Sequence, residues 1–339
     1  MRRAWLAGSL PGATPDRAMT LALDTLGPHL LALPGGETSR PNCQASISLE
    51  LAQIPLFAVA KQGDWSTYDN PLLLYTVGDM ETLDLGYARL YQQESPIARQ
   101  LITNYGLSLS YQVSITSPFT LATMVVGPGR ALRWYTSFEQ ATIRDIMQIY
   151  LDDNTVIFQV EALLELCGTL AAPNFVRSVV LRKMARRVVD FVLQCPPGIR
   201  IGLHPCLGDI NHQARGQISR LTSLVAFVNE IMRQWPSGYS LAYVHLPLSE
   251  ASRPPVTDPA WYTDISRLAV PDTVRIVAGL CHELVTVDEL RPIINVMDAL
   301  LHREVSVGAS CGLGLRGGRT MDDAHTVLRQ QRELCRGGG

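Results

Sequence analysis

The fold is decided by residues 155–203, TVIFQVEALLELCGTLAAPNFVRSVVLRKMARRVVDFVLQCPPGIRIGL. Apolar and β-branched residues at 155–160 and again at 199–203 predict two buried strands. Residues 172–193, between them, have apolar side chains at helical spacing. A strand, a helix and a second strand in this order predict parallel strands joined by a right-handed crossover.

The same alternation extends along most of the chain. Helices are also predicted at 136–151, 217–235, 286–302 and 321–332. Including the two already named, seven strands are predicted, at 4–7, 109–115, 155–160, 199–203, 241–244, 273–278 and 304–307.

An eighth strand is predicted between residues 46 and 59, where LELAQIPLFAV is apolar but has no clean period. Eight strands in 339 residues predict an α/β fold, a (β/α)8 TIM barrel forming one domain over 1–339. We expect a turn-rich excursion from the barrel at 35–70 and a flexible tail at 333–339.

Composition is typical of a globular protein and argues against a nucleic-acid binder. With 47% hydrophobic and 18% charged residues the chain can bury a large core, and its formal net charge of −2 lacks the basic excess of a nucleic-acid binder. The most basic stretch, at 177–187, is interpreted as a solvated helix face, with an anion or partner site as the alternative.

The sequence gives no sign of a membrane or secreted protein. The apolar stretch before Gly8 is too short for a signal peptide, and no apolar run reaches bilayer length, so a cytoplasmic location is expected. Seven cysteines, an odd number in a long chain, predict reduced thiols rather than a disulfide framework.

Metal-type ligands directly follow three of the predicted strands. His204 and Cys206 lie in GLHPCLGD, His245 in AYVHLPLSE, and Cys311 in GASCGLGLRGG. Imidazole and thiolate are the donors that tetrahedral zinc prefers, and parallel barrel strands deliver their ends to one face. These four residues therefore predict one zinc site.

Other strand ends carry groups that bind substrates or move protons, namely Ser9, Ser117, Glu161 and His282. Alternatives stay open for several of these sites. A histidine after a strand is often a satisfied structural residue, and Glu161 could simply cap the following helix. The glycine-rich GLGLRGGRT, at 312–320, could instead cradle a phosphate.

Five motifs together carry a family resemblance. GSLPG at 8–12, SPFTLA at 117–122, FQVEALLE at 158–165, HxC at 204–206 and CGLGLR at 311–316 occur in the order of the catalytic barrel of cobalamin-independent methionine synthases. The chain resembles a short, single-barrel form of that superfamily, which also includes uroporphyrinogen decarboxylase-like and corrinoid-dependent methyltransferase barrels. The resemblance covers most of the chain.

The resemblance implies that His204, Cys206 and Cys311 are zinc ligands. In the family a glutamate after the sixth strand supplies another ligand, and His245 occupies that place here. Glu250, a few residues downstream, is the alternative donor.

The resemblance also implies a substrate site. Gly8 and Ser9 correspond to the clamp for the substrate carboxylate, and Ser117 of SPFTLA is taken as a further substrate-binding residue. Glu161 falls where the family has an aspartate that binds the substrate amine, although the family's DEP tripeptide is missing. His282 resembles the family histidine that assists proton transfer, so Glu161 and His282 are the expected catalytic residues.

The expected function is zinc-dependent methyl transfer to a small-molecule thiol, homocysteine or a related compound, activated as its zinc thiolate. The expected methyl donor is a methylfolate or a methyl-corrinoid protein. Two alternatives are a zinc-binding accessory protein without turnover and a metal-free decarboxylase-like barrel acting on a tetrapyrrole. The last should present several convergent arginines.

Overall fold

The computed structural model describes residues 1–314 and 318–337 and alternates strands with helices along the chain. The strands are β1 (Ala4–Trp5), β2 (Leu33–Pro34), β3 (Phe57–Lys61), β4 (Leu73–Thr76), β5 (Tyr111–Thr116), β6 (Ile157–Ala162), β7 (Arg200–Pro205), β8 (Ser240–Pro247), β9 (Arg275–Cys281) and β10 (Ser306–Ala309). The helices are α1 (Pro15–Leu26), α2 (Cys43–Leu51), α3 (Tyr87–Asn104), α4 (Pro118–Val126), α5 (Pro128–Asp152), α6 (Leu163–Ala171), α7 (Asn174–Gln194), α8 (Leu221–Gln234), α9 (Val287–Leu301) and α10 (Met321–Arg336). A 3₁₀ helix, Pro259–Arg267, takes the place of an α-helix between β8 and β9.

Eight of the strands form one parallel sheet that curls into a barrel. Their order is β1, β10, β9, β8, β7, β6, β5 and β2. The two ends of this sheet meet, because Ala4 forms a parallel bridge with Leu30 and its carbonyl accepts the Leu31 N–H at 2.8 Å. The predicted (β/α)8 barrel, a single domain, is confirmed.

The seven strands predicted with defined bounds are present, but the predicted eighth strand is wrong. Part of the segment 46–59 lies in α2, and its end begins β3, which pairs antiparallel with β4 in a separate hairpin. The barrel strand is instead β2, which pairs with β5. β2 has two residues and is followed by Gly35 and Gly36, so it has no β-branched run for a pattern to detect.

The C-terminal segment is more ordered than expected at its start. Residues 333–336 form the end of α10, and Leu334 and Cys335 are buried there. Residues 338–339 of the predicted tail lie outside the described residues.

A buried polar network crosses the barrel interior beneath the carboxyl ends of the strands. The Tyr243 hydroxyl donates to Gln112 Oε1 at 2.9 Å, and Gln112 Nε2 donates to Gln159 Oε1 at 2.8 Å. Because buried amides are costly unless paired, this mutual bonding fixes Gln159, which lines the cavity above the network. No helix in the described part of the chain is long and apolar enough to cross a bilayer.

Candidate metal centre

Four potential metal ligands meet at the carboxyl ends of three barrel strands. Glu161 on β6 lies opposite His204 on β7 in the sheet register, Cys206 follows β7, and Cys311 follows β10. One ligand atom from each of the four lies within 4.8 Å of every other. Carboxylate, imidazole and two thiolates form a donor set suited to zinc.

The two cysteines are spaced as partners on one ion. Their Sγ atoms are 3.7 Å apart, and two thiolates on a tetrahedral zinc with bonds of about 2.3 Å would be about 3.8 Å apart. The Gly208 N–H donates to Cys206 Sγ at 3.2 Å, which stabilises a thiolate there. The adjoining Cys311 thiol and burial raise the pKa of Cys206, so a cation is needed to hold both sulfurs as thiolates.

His204 has the chemistry of an available ligand. It is buried, and among the described residues neither ring nitrogen has a hydrogen-bond partner. Burial, together with the neighbouring His245, lowers the pKa of His204, so the ring is neutral at physiological pH. A buried imidazole without partners is unfavourable, and a bound metal would satisfy one nitrogen.

His245, expected to be the fourth ligand, lies outside this group of four. Its ring stacks on that of His204 with centroids 4.6 Å apart and planes 8° apart, and on Trp5 at 4.3 Å. Its Nε2 is 3.0 Å from the Ala309 carbonyl oxygen. The close approach of β9 depends on Gly279, where an added Cβ would stand 2.4 Å from that nitrogen. The His245 ring is thus packed flat behind the His204 ring.

Glu250, the alternative donor, is also absent from the group. Its Oε1 accepts the Ile218 N–H at 3.3 Å, and its Oε2 lies 3.5 Å from Arg253 Nη1. The carboxylate in the group is instead Glu161, which the resemblance had associated with the substrate amine. Gln44 Nε2, from α2, donates to Glu161 Oε2 and helps to orient it.

A small cavity opens beside the donor group. Its volume is about 40 Å³, and Gly8, Ser9, Glu161, His204 and Cys311 are among the residues that line it. Gly8 has φ +100°, and a Cβ there would stand 2.5 Å from Ser114 Oγ. Gly8 is therefore required for the backbone to approach this wall closely. The structure brings Gly8 and Ser9 to the same cavity as Glu161, His204 and Cys311 of the donor group.

Another wall of the cavity is acidic, and sequence reasoning missed it. The Glu37 carboxyl is buried, and burial together with the nearby Glu94 raises the pKa of Glu37 to about 8. Glu94 Oε1 accepts the Glu37 backbone N–H at 3.0 Å. Glu37 follows β2 by three residues, so a strand-end search would have found it had that strand been recognised.

Ser117 is occupied away from the cavity lining. Its Oγ caps α4 by accepting the Thr120 N–H at 3.1 Å, and it donates to Glu165 Oε1 at 2.5 Å. Thr120 Oγ1 donates to the other oxygen of Glu165 at 2.9 Å. These contacts give Ser117 a structural explanation, and its substrate role stays a prediction.

His282 is likewise outside the cavity lining. The Leu284 N–H donates to His282 Nδ1 at 3.2 Å, and His282 Nε2 lies 3.2 Å from the Ala251 carbonyl oxygen. Both nitrogens are therefore engaged by backbone, and the predicted proton-transfer role stays untested. Leu315 and Arg316, which end the CGLGLR motif, and Gly317 belong to the possible phosphate cradle and lie outside the described residues.

Comparison with known proteins supports the fold more than the activity. No protein-family model matches the sequence, and no curated protein matches it either. Among solved structures, a Listeria monocytogenes protein provisionally named a vitamin-B12-independent methionine synthase aligns over 95% of this chain and 84% of its own, with 11% identity and a TM-score of 0.52.

Two further solved structures align less closely. A methyltransferase from Methanosarcina mazei covers 98% of this chain and 94% of its own at 13% identity, with a TM-score of 0.47. The endoglucanase CEL6B from Humicola insolens covers 97% and 96% at 11% identity, with a TM-score of 0.38. At such identities the Listeria likeness shows a shared barrel fold, and the function has to be argued from the site.

Proposed function

We propose that this protein is a zinc-dependent methyltransferase that acts on a small-molecule thiol. The observation that carries the proposal is the group of Glu161, His204, Cys206 and Cys311, with its two sulfurs 3.7 Å apart and a cavity at its side. The fold shared with the Listeria monocytogenes protein that carries the name of a methionine synthase agrees with this assignment.

The four residues would hold the metal, in place of the set that included His245. Zinc, when bound, supplies the Lewis acidity that makes a substrate thiol nucleophilic near neutral pH. Glu161 is the donor best suited to give way to a substrate group, because it is only half-buried and is the one oxygen donor among softer ligands.

The cavity favours a thiol that also carries an ammonium group. Burial and the nearby Glu94 raise the pKa of the Glu37 carboxyl to about 8 although Arg40 acts to lower it, and a substrate ammonium in the cavity would further stabilise its ionised form. Ser9 and the backbone at Gly8 line the same cavity and are proposed to receive the substrate carboxylate. Homocysteine, or a related amino thiol, combines these groups.

The methyl donor is proposed to be a methylfolate or a methyl-corrinoid protein. In either case the chain's task is to keep the substrate sulfur at the strand ends and aligned with the incoming methyl group. Purified protein should be assayed with each donor in turn and homocysteine as the acceptor.

The deciding measurement is zinc quantification with X-ray absorption at the zinc edge, with and without homocysteine. We expect one zinc per chain, and one more sulfur and one less oxygen in its shell when homocysteine is added. Cys311→Ala should lose zinc and thiol methylation. Cys195→Ala, a matched change at a buried cysteine before β7 and so at the opposite end of the barrel, should keep both.

A zinc-binding accessory protein is the second candidate. It is favoured by the fact that four protein donors already complete a tetrahedral set, as structural zinc sites do. A zinc shell that homocysteine leaves unchanged, together with no methylation from either donor, would select it. The tetrapyrrole decarboxylase alternative has little support, because no arginine lines the cavity among the residues described.

A further inference from the structure

The two cysteine ligands lie on separate loops, and one buried arginine contacts both loops. Cys206 begins the loop from β7 to α8, and Cys311 lies in the loop from β10 to α10. Arg319, near the end of that second loop, is 9% exposed. Its Nη1 donates to the Gly312 carbonyl oxygen at 2.7 Å and lies 3.4 Å from Asp209 Oδ2.

Each contact lies next to a proposed ligand. Gly312 directly follows Cys311, and Asp209 directly follows Gly208, whose N–H donates to Cys206 Sγ. A single guanidinium group therefore joins the backbone beside one sulfur to the segment that bonds the other. The Asp209 side chain is 2% exposed in this ion pair, so solvent screens the attraction weakly.

A second contact brings the same two loops together. An added Cβ at Gly318 would stand 2.7 Å from the Cβ of His212, and Gly318 has φ +87°. The residue after Arg319 is also fixed, because Thr320 caps α10 and exchanges hydrogen bonds with Asp323. The capped N-terminus of α10 thus fixes the backbone next to Arg319.

We propose that Arg319 is a positioning residue that clamps the Cys311 loop to the Cys206 loop and so preorganises the two sulfurs for metal. The inference rests on the proposed metal centre but not on methyl transfer. Arginine suits the task, because its charge is permanent and its Nη1 both donates to the Gly312 carbonyl and lies within ion-pair distance of Asp209. Outer contacts that orient ligands typically change metal affinity by about 10- to 100-fold.

The chain offers a matched control in Arg2, at the amino-terminal end of the barrel. Arg2 is 6% exposed, its Nη2 lies 2.7 Å from Asp298 Oδ2, and its Nη1 donates to the Val305 carbonyl oxygen at 2.6 Å. It makes the same two kinds of contact as Arg319 without approaching a cysteine of the donor group. Arg2→Gln therefore reports the general cost of losing a buried arginine.

The first test makes two measurements, of zinc affinity by chelator competition and of the thiolate-to-cobalt absorption of the Co²⁺ form. The proteins compared are wild type, Arg319→Gln, Arg319→Lys, Asp209→Asn and Arg2→Gln. We expect Arg319→Gln and Asp209→Asn to weaken zinc binding by about 10- to 100-fold and to alter the cobalt spectrum. The protein with both Arg319→Gln and Asp209→Asn should bind zinc no more weakly than either single variant, because both substitutions remove the same contact between Arg319 and Asp209. Arg319→Lys should recover part of the affinity, and Arg2→Gln should bind as wild type does.

The second test needs no metal. Metal-free protein is treated with diamide, which is reduced to its hydrazine as the Cys206 and Cys311 thiols form a disulfide, and the cross-linked peptide is followed by mass spectrometry. Arg319→Gln should form it several-fold more slowly than Arg2→Gln. Unchanged affinity, spectrum and cross-linking rate in Arg319→Gln would overturn the inference, as would equal losses in Arg2→Gln. A wild-type protein that binds no zinc would overturn the metal centre itself, and the cross-linking rate alone would then decide whether Arg319 positions the sulfurs.

Discussion

His204 and His245 lie at the ends of neighbouring strands and are alike in almost every respect except their partners. Both are fully buried, both have a lowered pKa because of burial, and their rings are stacked 4.6 Å apart. His245 has one nitrogen, Nε2, beside a backbone carbonyl and only its Nδ1 without a partner, whereas neither nitrogen of His204 has a partner among the described residues. Residue type and strand position therefore do not identify a ligand. We propose that the ligand is the histidine that the fold leaves with neither nitrogen paired.

Replacing each histidine in turn should give the largest difference. His204→Ala removes one of four donors, and we expect zinc affinity to fall by more than about 100-fold, beyond the usual effect of outer contacts. His245→Gln should keep stoichiometric zinc, with a loss of at most about 10-fold from the altered packing behind His204. Chelator competition and metal analysis of both proteins provide the measurement. Equal zinc loss in His245→Gln would make His245 a ligand and break the distinction.

The same contrast shows how far the sequence could predict this site. Histidine and cysteine after predicted strands, together with the family resemblance of the HxC and CGLGLR motifs, were enough to select His204, Cys206 and Cys311 as proposed ligands. Glu161 was expected to bind substrate rather than metal, since it faces His204 only through the β6–β7 register, which one sequence does not report. His245 and Glu161 both directly follow a predicted strand, and only the packing of the folded chain shows that Glu161, and not His245, lies in the group with His204.

The acidic wall was missed for a different reason. Glu37 depends on β2, a two-residue strand that ends in proline and glycines and has no hydrophobic period. The barrel closes there through backbone pairing with β5 and the Ala4–Leu30 bridge, so tertiary contacts rather than local propensity create the strand. The (β/α)8 fold could be predicted because the other seven barrel strands were enough to indicate it.

Glu37 is a second buried group in an unfavourable setting, and the pH dependence of the free energy of unfolding tests it. Its pKa is about 8 in the folded chain and 4.5 in an ordinary setting, so the folded state binds more protons between these values. The free energy of unfolding should therefore fall as pH rises from about 5 to about 8, by at most about 1.4 kcal/mol per pH unit. Glu37→Gln should flatten this dependence.

Thermal unfolding of wild type and Glu37→Gln at a series of pH values from 5 to 8.5 checks this expectation. A matched control is Glu289→Gln, because hydrogen bonds from Thr286 lower the pKa of this helix-capping carboxyl and its loss should leave the slope between pH 6 and 8 in place. Parallel curves for wild type and Glu37→Gln would show that Glu37 stays ionised in the folded chain. The cavity would then hold a permanent negative charge beside the donor group.

The smallest expected effect concerns Ser117, a strand-end residue whose hydroxyl already donates one hydrogen bond and accepts another. Ser117→Ala removes the cap of α4 and the bond to Glu165, which should lower the free energy of unfolding by about 1–2 kcal/mol. Zinc content and the Michaelis constant for the thiol should not change, because the hydroxyl does not line the cavity. Ser9→Ala, whose side chain lies in the cavity wall, is the matched comparison and should raise that constant. Suppose that Ser117→Ala raised the Michaelis constant as much as Ser9→Ala did and left the free energy of unfolding unchanged. The Ser117 hydroxyl would then bind substrate. In that case, hydrogen bonds already made within the protein would not distinguish strand-end residues that stabilise the fold from those that bind substrate.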